Sequence, residues 1–333
     1  MALFTRLGDA ELADLSQAFA LGQVQGVRPI AAGTINSNFA VDAETGRWFV
    51  RVNEGKAEAD VAWEAQLIAA LADGGVATPP PMRARDGRPY APLGRGGAGG
   101  AGAPGEKWVS VFPWCAGGHV GPGQVTPELA AEFGAALARL HLVGLELPAA
   151  WRRRSIYDHD HLVARYASFA GSADPELARG IAVIGDGLAA ASAAAAVRRS
   201  ASHGIIHGDL FRDNVLWDGG RLVAILDFEQ ASGGSLAYDL AVCINDWCWD
   251  GGRIALDRVA GLLAGYQRVR PLTAADRAAL PIELCAAATR FTVTRITDVY
   301  LARVDNPDKD FRAFLARCDA WQGPALGEVS SLL

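Results

Sequence analysis

Asp209, Asn214 and Asp227 are the residue types, at the spacing, that metal-assisted phosphoryl transfer requires. The first two lie in His207-Gly208-Asp209-Leu210-Phe211-Arg212-Asp213-Asn214, and the third opens Asp227-Phe228-Glu229 after an apolar stretch. In such chemistry the first Asp orients and deprotonates the attacking hydroxyl. The Asn and the second Asp hold Mg2+ against the phosphates of the nucleotide. Alone, Asp209 would be a turn residue, Asn214 a strand-edge cap and Asp227 a strand terminator; the constellation carries the meaning.

The flanking residues must position these groups. Ile205-Ile206 reads as the end of a short buried strand. Val215-Leu216-Trp217 and Leu222-Val223-Ala224-Ile225-Leu226 flank Asp218-Gly219-Gly220, a turn whose glycines supply positive φ, so the segment reads as a β-hairpin. A hairpin places the start of its first strand beside the end of its second. Asn214 and Asp227 are therefore expected roughly 5–8 Å apart, close enough to share one cation.

The nucleotide also needs a cation on its α- and β-phosphates, and an acid on a helix to hold that cation. Arg51, in the strand Trp48-Phe49-Val50-Arg51-Val52, occupies the place for the first. Glu64, midway along the following helix, is its partner, with Glu58 as the fallback. Guanidinium binds oxygen pairs as a fork and ammonium as a point charge, so Arg here is not neutral with respect to Lys. Upstream, Gly33-Thr34-Ile35-Asn36-Ser37-Asn38-Phe39 is the candidate turn over the phosphates, offering backbone donors and the short side chains of Ser37 and Asn38.

Two lobes of an α+β protein are expected: residues 1–114, small, β-rich and nucleotide-binding, and residues 115–333, larger, mainly helical, catalytic and substrate-binding. In the first, residues 9–21 and 57–73 have helical spacing, and residues 27–39 and 48–52 read as strands. The run of Gly and Ala at 94–105 lacks the Gly-Lys-Ser/Thr ending of a phosphate loop and reads as an inserted connection. In the second, Thr126-Pro127-Glu128 is a helix start, and helices are expected over 158–170, 175–200, 235–249, 253–268, 273–302 and 308–320. His141 ends the first of these stripes and reads as a residue packed under the catalytic loop. Arg152-Arg153-Arg154 reads as a solvated helix start.

Composition narrows the partners. A net charge of −6, with no larger cluster of Lys and Arg, speaks against nucleic acid. Five cysteines without metal-type spacing read as free thiols of a reducing compartment. No charged-then-apolar leader or membrane-length apolar run is visible, and no obligate protein partner is evident. A cytoplasmic protein acting on a small molecule is expected.

The motifs resemble the aminoglycoside-phosphotransferase and choline-kinase-like branch of the protein-kinase fold, whose catalytic loop reads His-Gly-Asp. Within it, the chain is similar to the homoserine kinases that use this fold. The resemblance rests on residues 33–39 and 207–216, Leu137-Ala138-Arg139-Leu140-His141, Tyr238-Asp239-Leu240-Ala241-Val242, Asn245-Asp246-Trp247-Cys248, and Arg290-Phe291 with Arg295 and Asp298. It departs at Glu229, where many such enzymes carry an aromatic residue, and at the 94–105 run. It implies MgATP-dependent phosphorylation of L-homoserine to O-phospho-L-homoserine, for threonine synthesis. Such an acceptor needs a carboxylate for its ammonium, for which Glu229 and Asp246 are candidates, and a cation for its carboxylate, for which Arg212 and Arg295 are. Each of the four could equally be an internal ion pair. Asp239 reads as an anchor of the catalytic loop. The rival readings are a related enzyme acting on an aminoglycoside, choline or another hydroxylated amine, and an inactive nucleotide-binding pseudokinase.

Overall fold

A computed structural model of the chain describes residues 5–30, 35–94 and 107–333. Gly33, Thr34 and nearly all of the 94–105 run lie outside the described residues. The chain divides into two compact units: Met1–Gly117 with Val223–Leu226, and Gly118–Leu222 with Asp227–Leu333.

The first unit is a five-stranded antiparallel sheet with helices α1 (Asp9–Phe19) and α2 (Glu58–Asp73). Its strands are β1 (Val24–Ile30), β2 (Ser37–Ala43), β3 (Gly46–Asn53), β4 (Ala91–Pro92) and β5 (Trp108–Pro113), in spatial order β1-β2-β3-β5-β4. The stretch expected as one strand over 27–39 thus contributes to two, with β1 returning as β2 in antiparallel register. Side chains alternate across a strand, so β3 sends Val50 and Val52 to one face and Phe49 and Arg51 to the other. The first face is the core: both valines are fully buried with Leu15, Phe19, Phe39, Val41, Val109 and Val111. The second face carries Arg51, Asn53 and Ser110. These polar groups are buried, and Asn53 donates to the Trp108 carbonyl at 3.1 Å and to Ser110 Oγ at 3.2 Å.

The second unit is mainly helical. Its long helices are α3 (Pro127–Glu146), α4 (His159–Ala167), α5 (Pro175–Ala193), the short α6 (Ala195–Ser200), α7 (Leu236–Trp247), α8 (Leu256–Val269), α9 (Ala274–Arg295) and α10 (Phe311–Trp321). Thr126 starts α3 as the sequence suggests: its hydroxyl accepts from Leu129 N at 3.2 Å, and Pro127 occupies the first turn, where no N–H is needed. Thr273 and Asp276 cap α9 reciprocally.

Two small ladders carry the loops of interest. β6 (His203–Ile206) pairs antiparallel with β9 (Ser232–Ser235), Ile206 opposite Ser232. The segment leaving β6 and the segment entering β9 therefore emerge side by side. β7 (Val215–Asp218) and β8 (Arg221–Ile225) form the expected hairpin, turned through Gly219 at φ 59°. No helix among the described residues is long and apolar enough to cross a membrane.

Candidate active site

In the first unit, Arg51 meets Glu64 as the spacing predicts. Arg51 Nη1 donates to Glu64 Oε1 at 2.9 Å, both side chains about nine-tenths buried. A buried guanidinium needs such a counter-charge, and at this burial solvent screens the attraction little. Lys56 Nζ donates to the other oxygen, Glu64 Oε2, at 2.9 Å. That second cation is not marked by periodicity, because Lys56 lies in the turn before α2. Glu58, the fallback, is engaged elsewhere: Arg88 and Tyr90 donate to it at 2.9 and 3.0 Å. Asn38 sits opposite Arg51 across the β2–β3 ladder and Ser37 opposite Val52, so both lie beside the cation strand. Ser37 Oγ donates to Glu54 at 2.8 Å.

In the second unit, the loop after β6 hangs from one buried carboxylate. Asp239, in the first turn of α7, is wholly buried. Its Oδ2 accepts from His207 N and its Oδ1 from Gly208 N, each at 2.8 Å. His141 Nε2 donates to Oδ2 at 3.1 Å, while Nδ1 lies 2.8 Å from Tyr266 Oη. The tautomer with its proton on Nε2 satisfies both, with Tyr266 donating to Nδ1. Arg270 Nη1 donates in turn to Tyr266 Oη at 3.1 Å. Burial works to raise the Asp239 pKa, but the hydrogen bonds from the His141 ring and the His207 backbone oppose it, and the carboxyl lies below its ordinary range. His141 is thus a support under the loop.

Gly208 has φ 78°, and a Cβ there would lie 3.2 Å from the Gln230 carbonyl. The turn therefore requires glycine. It delivers Asp209, whose carboxylate is about a quarter exposed. Asn214 ends a single 3-10 turn, Arg212–Asn214, and its Nδ2 donates to the Asp209 carbonyl at 2.8 Å. That bond commits the amide nitrogen and leaves the amide oxygen as the atom available to a cation.

Asp227 follows β8 in the left-handed region, φ 61° and ψ 72°, a conformation that costs a non-glycine residue roughly 1 kcal/mol or more. Phe228 behind it is fully buried against the His207 ring, centroids 4.7 Å apart. The two loops are therefore packed together as well as led out side by side by β6 and β9. Arg153 holds the second loop from outside, donating to the carbonyls of Glu229 at 2.5 Å and Ala231 at 2.9 Å. The Arg152–Arg154 run is thus no solvated helix start: it precedes α4 as irregular chain, and its middle member buttresses this loop.

Of the four residues named for the acceptor, two bind each other. Arg212 donates to Asp246 from Nε at 2.9 Å and Nη2 at 3.2 Å, and its backbone N–H donates to the same carboxylate at 2.9 Å. The pair fixes the loop after β6 to the end of α7. Both charges are satisfied by each other, the internal ion pair that was the alternative reading for these two residues. Glu229 lies in the turn directly after Asp227-Phe228. Arg295 ends α9, its Nη1 donating to the Asp310 carbonyl at 3.1 Å and its guanidinium 4.4 Å from the Phe314 ring centre.

Arg290 was missed as a site residue. Only 3% exposed, it reaches Asp209 Oδ1 at 3.5 Å from Nη1 and donates to Gln230 from Nη2. Its guanidinium lies 4.2 Å from the ring centre of Tyr157 and 3.8 Å from that of Phe291. Arg290-Phe291 is among the segments that carry the resemblance, but the neighbouring residues do not show what Arg290 binds, since its partners lie 60 and 81 residues away.

Residues 26–272 match the sequence profile of the phosphotransferase enzyme family. The chain belongs to that family. A homoserine kinase of Gluconacetobacter diazotrophicus is 36% identical to this phosphotransferase over 303 residues, 90% of this chain and 89% of the relative. Among solved structures, an amicoumacin kinase in complex with AMP-PNP and Ca2+ superposes with a TM-score of 0.71 at 16% identity, covering 96% of this chain and 92% of the other. A microcompartment-associated aminopropanol kinase gives 0.67 at 20% identity, with 97% and 100% covered. At these identities the two structures establish the shared protein-kinase-like fold, with its antiparallel N-terminal sheet and mainly helical remainder.

Proposed function

We propose that this phosphotransferase transfers the γ-phosphoryl group of ATP to the hydroxyl of L-homoserine, giving O-phospho-L-homoserine and ADP. The observation that carries the chemistry is the built loop itself: a partly exposed Asp209 whose backbone is clamped by Asp239 and whose carbonyl holds Asn214. The choice of acceptor is supported by the relative named homoserine kinase that spans nine-tenths of the chain.

Asp209 accepts the hydroxyl proton as the acceptor oxygen forms its bond to the γ-phosphorus and the bond to the β-phosphate oxygen breaks. Arg290 at 3.5 Å holds the Asp209 carboxylate in one orientation. Asn214, through its amide oxygen, and Asp227 are hard oxygen donors of the kind Mg2+ takes, so the residues present fit that ion. When bound, the ion offsets the negative charge of the phosphates. Arg51, fixed by Glu64, is assigned to the nucleotide phosphates, with Ser37 and Asn38 beside it. Glu229 is assigned to the acceptor ammonium and Arg295 to its carboxylate, while Arg212 and Asp246 position the loop.

A panel of acceptors at fixed MgATP tests the reading: L-homoserine, 3-aminopropan-1-ol, choline, ethanolamine and spectinomycin, followed by ADP release. Turnover is expected to be highest with homoserine. Turnover of an aminoglycoside, choline or an amino alcohol with none of homoserine refutes it, and turnover of no acceptor with retained nucleotide binding marks a pseudokinase.

A further inference from the structure

We propose that Arg317, which no motif marks, joins Arg295 in binding the acceptor's carboxylate, and that this pair makes the enzyme select a hydroxy amino acid over the corresponding amino alcohol. The inference rests on the homoserine reading and extends it to the source of its specificity.

Arg295 ends α9 and Arg317 lies on α10, so only the packing of these helices brings them together. Both lie against one ring, their guanidinium carbons 4.4 and 4.0 Å from the centre of Phe314. Arg317 also lies 5.6 Å from the ring centre of Trp249. Phe314 stacks on Phe211, ring centres 5.6 Å apart and planes within 9°. Phe211 is two residues from Asp209, which places the two arginines on the flank of the reacting carboxylate.

Among the described residues neither arginine makes an ion pair; Arg295 has the Asp310 carbonyl, and Arg317 Nη1 is buried without a hydrogen-bond partner. The acid whose field reaches both is Asp246, and Arg212 already occupies that carboxylate through two side-chain bonds. Burial pulls both guanidinium pKa values down, that of Arg317 to about 10, against the opposing pull of Asp246. Two half-buried guanidiniums, one with a buried unpaired Nη1, carry a desolvation cost, and a ligand carboxylate between them relieves it through charge-assisted bonds. Arg290, by contrast, is committed to Asp209 and Gln230. An anion here could come from the acceptor or from the γ-phosphate. The acceptor is favoured because the other cation cluster, Arg51 and Lys56 on Glu64, already suits the nucleotide.

The test compares wild type, Arg317→Gln and Arg317→Lys with L-homoserine and with 3-aminopropan-1-ol, which keeps the hydroxyl and amine but lacks the carboxylate. KM for homoserine is expected to rise roughly 30-fold in Arg317→Gln, as for loss of a hydrogen bond to a charged group. kcat should move far less, and homoserine-to-aminopropanol selectivity in kcat/KM should fall by a similar factor. Arg317→Lys should recover part of the selectivity, and if the Gln variant does not fold, a several-fold selectivity loss in Arg317→Lys decides in its place. Equal losses with both acceptors would assign Arg317 to packing, and a raised KM for ATP with homoserine KM unchanged would assign it to phosphate; either overturns the proposal. Wild type that rejects homoserine but accepts 4-hydroxybutyrate, with an Arg317-dependent KM, refutes homoserine and upholds the pair. Wild type that accepts only acceptors without a carboxylate overturns both.

Discussion

Replacing Asp239 by Asn exchanges one of two buried oxygens for an amide group without changing the shape of the side chain. Three donors converge on the native carboxylate, from His207 N, Gly208 N and His141 Nε2. An asparagine can accept only through its single oxygen, so one backbone N–H faces the new NH2 and stays unsatisfied. Leaving a buried donor unpaired costs about 1–3 kcal/mol, and the remaining bonds lose their charge assistance. A destabilisation of about 3 kcal/mol follows, which for 333 residues lowers the melting temperature by about 4 °C. Because the Gly208 amide is the group most exposed to this loss, Asp209 shifts, and kcat should fall about 100-fold with nucleotide affinity little changed. The assay is a thermal melt followed by tryptophan fluorescence, paired with ADP-release kinetics. The folded-state pKa of Asp239 lies below its unfolded value of about 3.9. Its stabilisation is therefore present above that pH and is lost as pH falls through the folded value. The difference between wild type and variant should hold from pH 8 to about 5 and close at lower pH. A variant that melts and turns over like wild type refutes the anchor.

Further outcomes follow from the same geometry. Gly208→Ala should lose about 1–3 kcal/mol and most activity, since φ 78° and the Gln230 carbonyl at 3.2 Å both oppose a Cβ; chemical denaturation and kcat check this. Arg51→Ala should raise KM for ATP at least about tenfold with acceptor KM nearly constant, and Arg51→Lys should recover only part of it, because ammonium cannot bind as a fork. Steady-state titration of ATP and acceptor separates the two.

The β7–β8 hairpin between Asn214 and Asp227 was legible because local sequence governs a hairpin. The Arg51–Glu64 pair was legible for a related reason: one strand followed by one helix fixes which residues face each other. The β6–β9 ladder was not. Ser232-Gly233-Gly234-Ser235 has no strand-forming residue, and a Cβ at Gly234 would meet the end of the Ile206 side chain across the ladder. Arg153, Arg290 and Arg317 act through partners far away in sequence, so nothing beside them reveals their use. Arg212 and Asp246 were legible as charged residues near the site, yet only the packing of α7 against the loop makes them each other's partner.

The central claim is that Asp209 is the base of a phosphoryl transfer. The direct measurement is Asp209→Ala, with single-turnover transfer from ATP to homoserine and nucleotide affinity by calorimetry on the same preparation. Transfer is expected to fall by about 100-fold to 10,000-fold, the share of a positioned general base, while nucleotide binding is largely kept. Near-wild-type transfer in that variant contradicts the account.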